Sequence, residues 1–361
     1  MTDSTPIRST RVDLVHHSLE VLERGQAASG AFIAAPAFPT YRYCWFRDGA
    51  FIAQALDLWD RPHAAHRFYE WGSEVILRYT PAVERALAAP VGTPPLEYLH
   101  TRYRTDGTPG RDDWPNFQLD GFGTFLWGMA EYLDRHPGDC SPQWERAILL
   151  LARYLAHLWP CANFDCWEEA PDRIHVSTLA ALYGGLRAAS RVLSDARIRD
   201  AAAEIRRYVL NNLAPQGHLP KSVGIDAVDG SLLWAGVPYG LLDVEHPVMH
   251  ATRERIEAEI VDTEGAVHRY ACDSYYGGGA WLLLTAALGE NCLASGRADR
   301  AAAALEWIEA QVTPAGDMPE QVSRHLNVPS MLLVWRERWG EVATPLLWSH
   351  AAYLRLTRAL G

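Results

Sequence analysis

Residues 144–159 read WERAILLLARYLAHLW. The apolar side chains Trp144, Ile148, Leu151, Leu155 and Leu158 recur at alternating four- and three-residue steps, which puts them on one face of an α-helix. One loop later, residues 176–193 read VSTLAALYGGLRAASRVL, a second segment of helical period. The same periodicity marks 10–28, 62–78, 118–135, 195–212, 277–296, 298–313 and 344–359. Shorter helices are expected over 48–58, 230–241 and 245–260, giving about twelve in all. Strand signals are scarce; IEAEIVDT (256–263) followed by EGAVHRY predicts one short hairpin. No Ser/Gly linker, low-complexity tract or fixed-period repeat divides the chain. The expectation is an all-α fold in which residues 1–361 form a single domain of helix pairs.

Composition narrows the function classes. Hydrophobic residues make up 48% and charged residues 21% of the chain, enough apolar material for an ordinary globular core. The net charge of −11 argues against nucleic acid and anionic membrane surfaces as partners and favours a small molecule. The six cysteines include no CxxC pair, so no metal is expected, and nothing else calls for a cofactor. The N-terminal residues lack the basic end and apolar stretch of a secretory signal, and no run approaches the roughly 18 apolar residues of a membrane span. A reduced, cytoplasmic chain is expected. The triple glycine Gly277–Gly279 lacks the Lys-Ser/Thr of a phosphate loop.

The unusual residues gather in the connections 36–48, 106–120, 161–175, 214–229, 268–279 and 316–329. These concentrate charged residues, Gly and Pro, several of them with Trp or Tyr. Loops on alternate connections of a ring of helices open on the same end, so this pattern suggests a toroid with one rim built into a pocket.

Two loops carry candidate acid–base chemistry. In CWEEAPDRIHVST, Glu168 and Glu169 follow Trp167 just before a helix; on spacing alone, a capping or exposed pair is the commoner role. A general acid needs its proton near neutral pH, and an apolar wall such as Trp167 with a neighbouring carboxylate favours that. In GDMPEQVS (316–323), Glu320 alone reads as an exposed loop acid. Together the two make the pair that glycoside hydrolysis requires, one to protonate the leaving oxygen and one to activate water. In YRYCWFRDG (41–49), Arg47 and Asp48 sit among aromatics, where they could form an internal ion pair or clamp vicinal hydroxyls.

Taken in order with WPNFQLDG (114–121), HRYACDSYYGGGAW (268–281) and PLLWSHA (345–351), these motifs resemble glycoside hydrolase family 15, the glucoamylase family, from about residue 36 to residue 355. The resemblance implies an (α/α)6 barrel with an active-site pocket at one rim and inversion at an α-glucosidic bond. It further implies Glu168 as general acid, Glu320 as general base, and Tyr41 beside the catalytic water, as water-positioning group or auxiliary base. Trp45, Arg47, Asp48, Trp114, Trp167, Glu169, Arg269 and Trp348 match sugar-binding positions. Ala271-Cys272 departs from the family's usual pattern after Arg269-Tyr270. The chain has no room for a starch-binding domain or an N-terminal β-sandwich, so a short α-gluco-oligosaccharide, best isomaltose or another α-1,6-linked glucoside, is the expected substrate. α,α-Trehalase and α-1,4 glucoamylase activity remain alternatives within the family. A sugar epimerase or isomerase using His175, His218, His268 or His350 is the alternative from another class, and a binding-only relative the last.

Overall fold

The computed structural model describes residues 10–193 and 195–361. Helix α6 (Pro142–Leu158) begins where the hydroxyl of Ser141 accepts a hydrogen bond from the Trp144 amide and Pro142 opens the first turn. It buries Trp144, Ala147, Ile148, Leu151, Ala152, Tyr154, Leu155 and Leu158, the stripe seen in the sequence. Its successor α7 (Val176–Val192) is buried nearly all round. That difference sorts the whole chain into two layers.

The inner layer consists of α2 (Phe46–Leu58), α5 (Asp120–Arg135), α7, a 3-10 stretch (Gly230–Ala235), α10 (Leu282–Ala294) and α13 (Leu347–Leu360). Each packs on the next in that order, and α13 returns to α2, closing the ring. The outer layer is α1 (Arg11–Arg24), α3 (Pro62–Arg78), α6, α8 (Ala196–Tyr208), α9 (Pro247–Glu259) and α11 (Ala298–Glu309), most of them apolar on one side only. Inner and outer elements alternate along the chain, which is the expected double ring of six helix pairs. Glycines let α5 and α7 approach closely: a Cβ on Gly123 would lie 2.5 Å from the Ala181 carbonyl oxygen, and one on Gly185 2.3 Å from that of Gly123.

The axis of the ring is filled. Phe51 of α2 stacks on Trp348 of α13 at 5.2 Å, Trp348 on Trp234 at 5.3 Å, and Trp127 of α5 meets Phe51 at 5.6 Å. Beside them, Arg355 lies over Phe51 and pairs with Glu290.

Several expectations need correction. Residues 230–241 form only the short 3-10 stretch, because Gly236 and Pro238 follow and Pro238 has no amide to continue a helix. The predicted strand 256–263 is helical to Glu259, and the hairpin shrinks to a single bridge between Val261 and Val267. Helices α4 (Thr80–Ala88) and α12 (Ser330–Trp339) lie outside the twelve-element plan and were not expected. Two antiparallel two-residue ladders brace the loops: β1 (Cys44–Trp45) with β2 (Arg102–Tyr103), and β3 (Ala280–Trp281) with β4 (Gln321–Val322). No helix is long and apolar enough to cross a membrane among the described residues.

Candidate active site

The inner α-helices all begin at the same end of the ring. Arg47 and Asp48 open α2, Asp120 opens α5, the 165–170 loop leads into α7, the 268–281 loop into α10, and Trp348 sits in the first turn of α13. A cavity of about 430 Å³ opens there. Every one of the eleven site residues read from the sequence lines it: Tyr41, Trp45, Arg47, Asp48, Trp114, Trp167, Glu168, Glu169, Arg269, Glu320 and Trp348. Converging helix N-termini carry partial positive charge, which favours carboxylates at this rim.

The Glu168 loop is tightly wound. The Asp165 carboxylate accepts from the amides of Trp167 and Glu169, each at 2.9 Å, and the Glu168 amide donates to the Asp165 carbonyl at 2.9 Å. These bonds hold Glu168 at φ 69° and Ala170 at φ 46°, left-handed conformations that non-glycine residues adopt only at a cost. The Glu168 side chain is partly exposed to the cavity. Its Oε1 accepts from Trp45 Nε1 at 2.8 Å and Gln118 Nε2 at 3.1 Å. The indole on Glu168 is therefore that of Trp45, whereas Trp167 Nε1 donates to both oxygens of Asp229, at 3.0 and 3.1 Å.

Glu320 lines the same cavity from the residue just before β4. Gln321 pairs with Trp281 and its Oε1 accepts from the Gly279 amide at 3.0 Å. A Cβ on Gly279 would lie 2.0 Å from the Val322 carbonyl oxygen, so glycine is required for this approach. Glu320 is only 3% exposed, and its buried Oε2 has no protein hydrogen-bond partner among the described residues. Burial pushes its carboxyl up to about 8. The Arg269 guanidinium and the hydroxyls of Tyr41 and Tyr275 oppose the rise, and Asp48 adds to it. The Tyr41 hydroxyl shares a 2.7 Å hydrogen bond with that of Tyr275. Burial, then the neighbouring Glu320, holds the Tyr41 phenol well above its ordinary value.

The charged clamp is an extended one. Arg47 donates to Asp120 at 2.9 Å and Gln118 at 3.2 Å, with Asp48 at 3.7 Å. Burial raises Asp48 to about 6, against the pull of Arg47. Arg269 is held by both oxygens of Asp273 and lies 3.4 Å from Glu169, whose other oxygen accepts from the Tyr270 hydroxyl at 2.7 Å. At the mouth, Trp114 stacks against Trp339 of α12 at 6.4 Å, and Trp335 meets Tyr275 at 4.9 Å.

Sequence reading missed Tyr275, Trp335, Arg338 and Trp339 on the cavity wall, and Lys221 and Asp229 behind it. Tyr275 sits inside a quoted motif, and Lys221 and Asp229 lie in the 214–229 connection without a motif of their own; Trp335, Arg338 and Trp339 lie in a segment with no recognisable pattern. The four histidines considered for isomerase chemistry do not line the cavity. His175 bonds the Ala170 carbonyl, His218 pairs with Asp226, His268 bonds the Gly278 carbonyl, and His350 accepts from the Met318 amide, its pKa pushed down to about 3 by burial.

Two glutamates lining one aromatic pocket, at one end of a closed double ring of helices, are the kind of pair that hydrolysis of a glycosidic bond requires. The chain belongs to the glycosyl hydrolases family 15, whose model matches residues 12–310. It is 41% identical to an isomaltose glucohydrolase of Kribbella flavida, an alignment covering 97% of this chain and 93% of the relative. A solved glycosidase in complex with glucose superposes with a TM-score of 0.91 at 40% identity, over 97% of this chain and 96% of that one. A bacterial glucoamylase complexed with acarbose shares the fold, with a TM-score of 0.75 at 19% identity over 96% of this chain and 55% of that one.

Proposed function

We propose that this glycoside hydrolase releases β-glucose from the non-reducing end of short α-gluco-oligosaccharides by single-step inversion, with isomaltose or a related α-1,6 glucoside as substrate. The observation that carries the reading is that Glu168 and Glu320 line one pocket, and that Glu320 Oε2 is a buried acceptor with no protein hydrogen-bond partner among the described residues. Both protein hydrogen bonds to Glu168 fall on Oε1, so Oε2 is the oxygen that presents the proton to the glycosidic oxygen. Glu320 Oε2 is the buried acceptor that takes a proton from water attacking the opposite face of C1. Tyr41 holds that water with its hydroxyl; its raised phenol favours a donor over an auxiliary base. Arg47 and Asp48 grip the hydroxyls of the non-reducing glucose on the floor formed by Trp348. Arg269 and Glu169 lie where the second sugar sits, with Trp114 as its platform.

The α-1,6 preference rests on the similarity to the Kribbella flavida isomaltose glucohydrolase along nearly the whole length of both chains. The whole chain is read as one catalytic unit. Its six free cysteines fit a reducing compartment and support a cytoplasmic location.

Glucose release from isomaltose, maltose, trehalose, panose and dextrin tests the substrate, and proton NMR of fresh product tests the stereochemistry. The expected result is β-glucose, fastest from isomaltose. Initial α-glucose would exclude inversion. Glu168→Gln should reduce turnover of the preferred disaccharide by about 10²–10⁴-fold; near-normal turnover would remove Glu168 from the role.

A further inference from the structure

Behind the Glu168 loop lies a buried cation that the reaction scheme does not use. Lys221 belongs to the loop before the 3-10 stretch, and its side chain is 13% exposed. Its ammonium is 2.8 Å from Asp229 Oδ2, 3.7 Å from Asp165 Oδ2 and 3.9 Å from Glu169 Oε2, and it stands 3.4 Å over the Tyr270 ring. The Lys221 backbone is fixed as well, its carbonyl accepting from the Val176 amide and its amide donating to the Ala227 carbonyl.

The two aspartates it holds are the supports of the Glu168 loop. Asp165 ties the amides on both sides of Glu168, and Asp229 anchors the Trp167 indole. Neither lines the cavity. Both are almost wholly buried, and buried carboxylates need a cation to stay ionised. Burial raises Asp165 to about 7 even with Lys221 drawing it down. Asp229 stays below its ordinary value because Lys221 and Ser231 outweigh its burial.

We infer that Lys221 is a positioning residue which, through Asp165 and Asp229, fixes the placement of Glu168 against the leaving oxygen and of Glu169 against the second sugar. The inference rests on the proposed roles of Glu168 and Glu169. It makes Lys221 a determinant of leaving-group chemistry rather than of glucose recognition, because Arg47, Asp48 and Trp348 lie outside its contacts.

The experiment compares two substrates on the intact chain. Isomaltose needs a proton from Glu168 and fills the second-sugar site. α-Glucosyl fluoride needs neither: water, deprotonated by Glu320, bonds to C1 as the C–F bond breaks and fluoride departs with the bonding electrons. Lys221→Met should lower kcat/KM on isomaltose by about 10²-fold, with kcat falling and KM rising, while turnover of the fluoride stays close to that of wild type. Lys221→Arg, which keeps the charge, should restore most of the loss. An equal loss on both substrates, or unchanged isomaltose hydrolysis, would overturn the inference. Should Lys221→Met fail to fold, Asp229→Asn carries the same comparison and the same two refuting outcomes. A wild-type enzyme that cleaves the fluoride but not isomaltose contradicts the linkage reading alone, and the comparison is then made on the disaccharide it does cleave.

Discussion

Glu320→Gln should cost activity and increase stability, and the size of the gain should depend on pH. An unfolded Glu has its carboxyl at 4.5, whereas burial in the native pocket raises it to about 8. The folded state therefore prefers the protonated acid. Below the lower value both states are protonated and the site costs nothing. As pH rises above it, the unfolded chain ionises freely while the native one cannot, and each further pH unit costs the fold about 1.4 kcal/mol. At pH 7 this comes to on the order of 3 kcal/mol, and the cost levels off above the native value. Gln fills nearly the same volume and does not titrate, so it removes this penalty while losing the proposed base. Thermal unfolding of both proteins at pH 4.5, 6 and 8 measures the effect. The two should melt together at the lowest pH, with the variant higher by a few degrees, roughly, at the highest. All other titrating groups are shared, so the difference reports residue 320 together with the neighbours coupled to it, Asp48, Tyr41 and Tyr275. Parallel pH profiles would refute the reasoning, showing that the native carboxyl ionises as readily as in the unfolded chain.

Other substitutions follow from the same geometry. The Tyr41 hydroxyl favours the ionised form of Glu320, so Tyr41→Phe should move the acid limb of kcat/KM to higher pH; a limb that stays put or moves down would contradict that influence. Gly279→Ala places a Cβ 2.0 Å from the Val322 carbonyl oxygen and should separate β3 from β4, costing about 1–3 kcal/mol or more and most of the activity, read as a lower melting temperature and loss of glucose release. Trp339→Ala removes the ring stacked on Trp114 at the mouth, so KM for a disaccharide should rise while that for α-glucosyl fluoride holds.

What could be read in advance differed between fold and site for physical reasons. Helices α6 and α7 announce themselves because each buries a regular set of apolar positions. Helix α12 does not: its apolar run, MLLVW (331–335), is contiguous rather than spaced, and none of it is fully buried. A single residue, Tyr79, lies between α3 and α4, so only Pro81 in the first turn of α4 marks the boundary. The stretch at 230–241 shows the reverse error, apolar enough for a helix but broken by Gly236 and Pro238. All eleven proposed site residues reach the cavity, because each lies in a short motif that a single connection carries to the rim. Lys221 and Asp229 were invisible because their partners come from three separate loops, and a buried lysine has no sequence pattern apart from the carboxylates around it. Trp167 shows a finer limit. Adjacency made it the obvious wall for Glu168, yet the turn at φ 69° sends its indole to Asp229 and leaves Glu168 to Trp45.

The aromatic plug on the ring axis bears on traffic as well as on packing. On the proposed function, with Phe51, Trp127, Trp234 and Trp348 packed in the interior beneath the pocket, glucose formed at the floor leaves by the mouth through which the substrate came. The second sugar occupies that route and has to depart first; glucose leaves last. Turnover is then ordered at the exit, glucose competes with incoming substrate for the same floor, and no glucan can be threaded through the ring and processed from within.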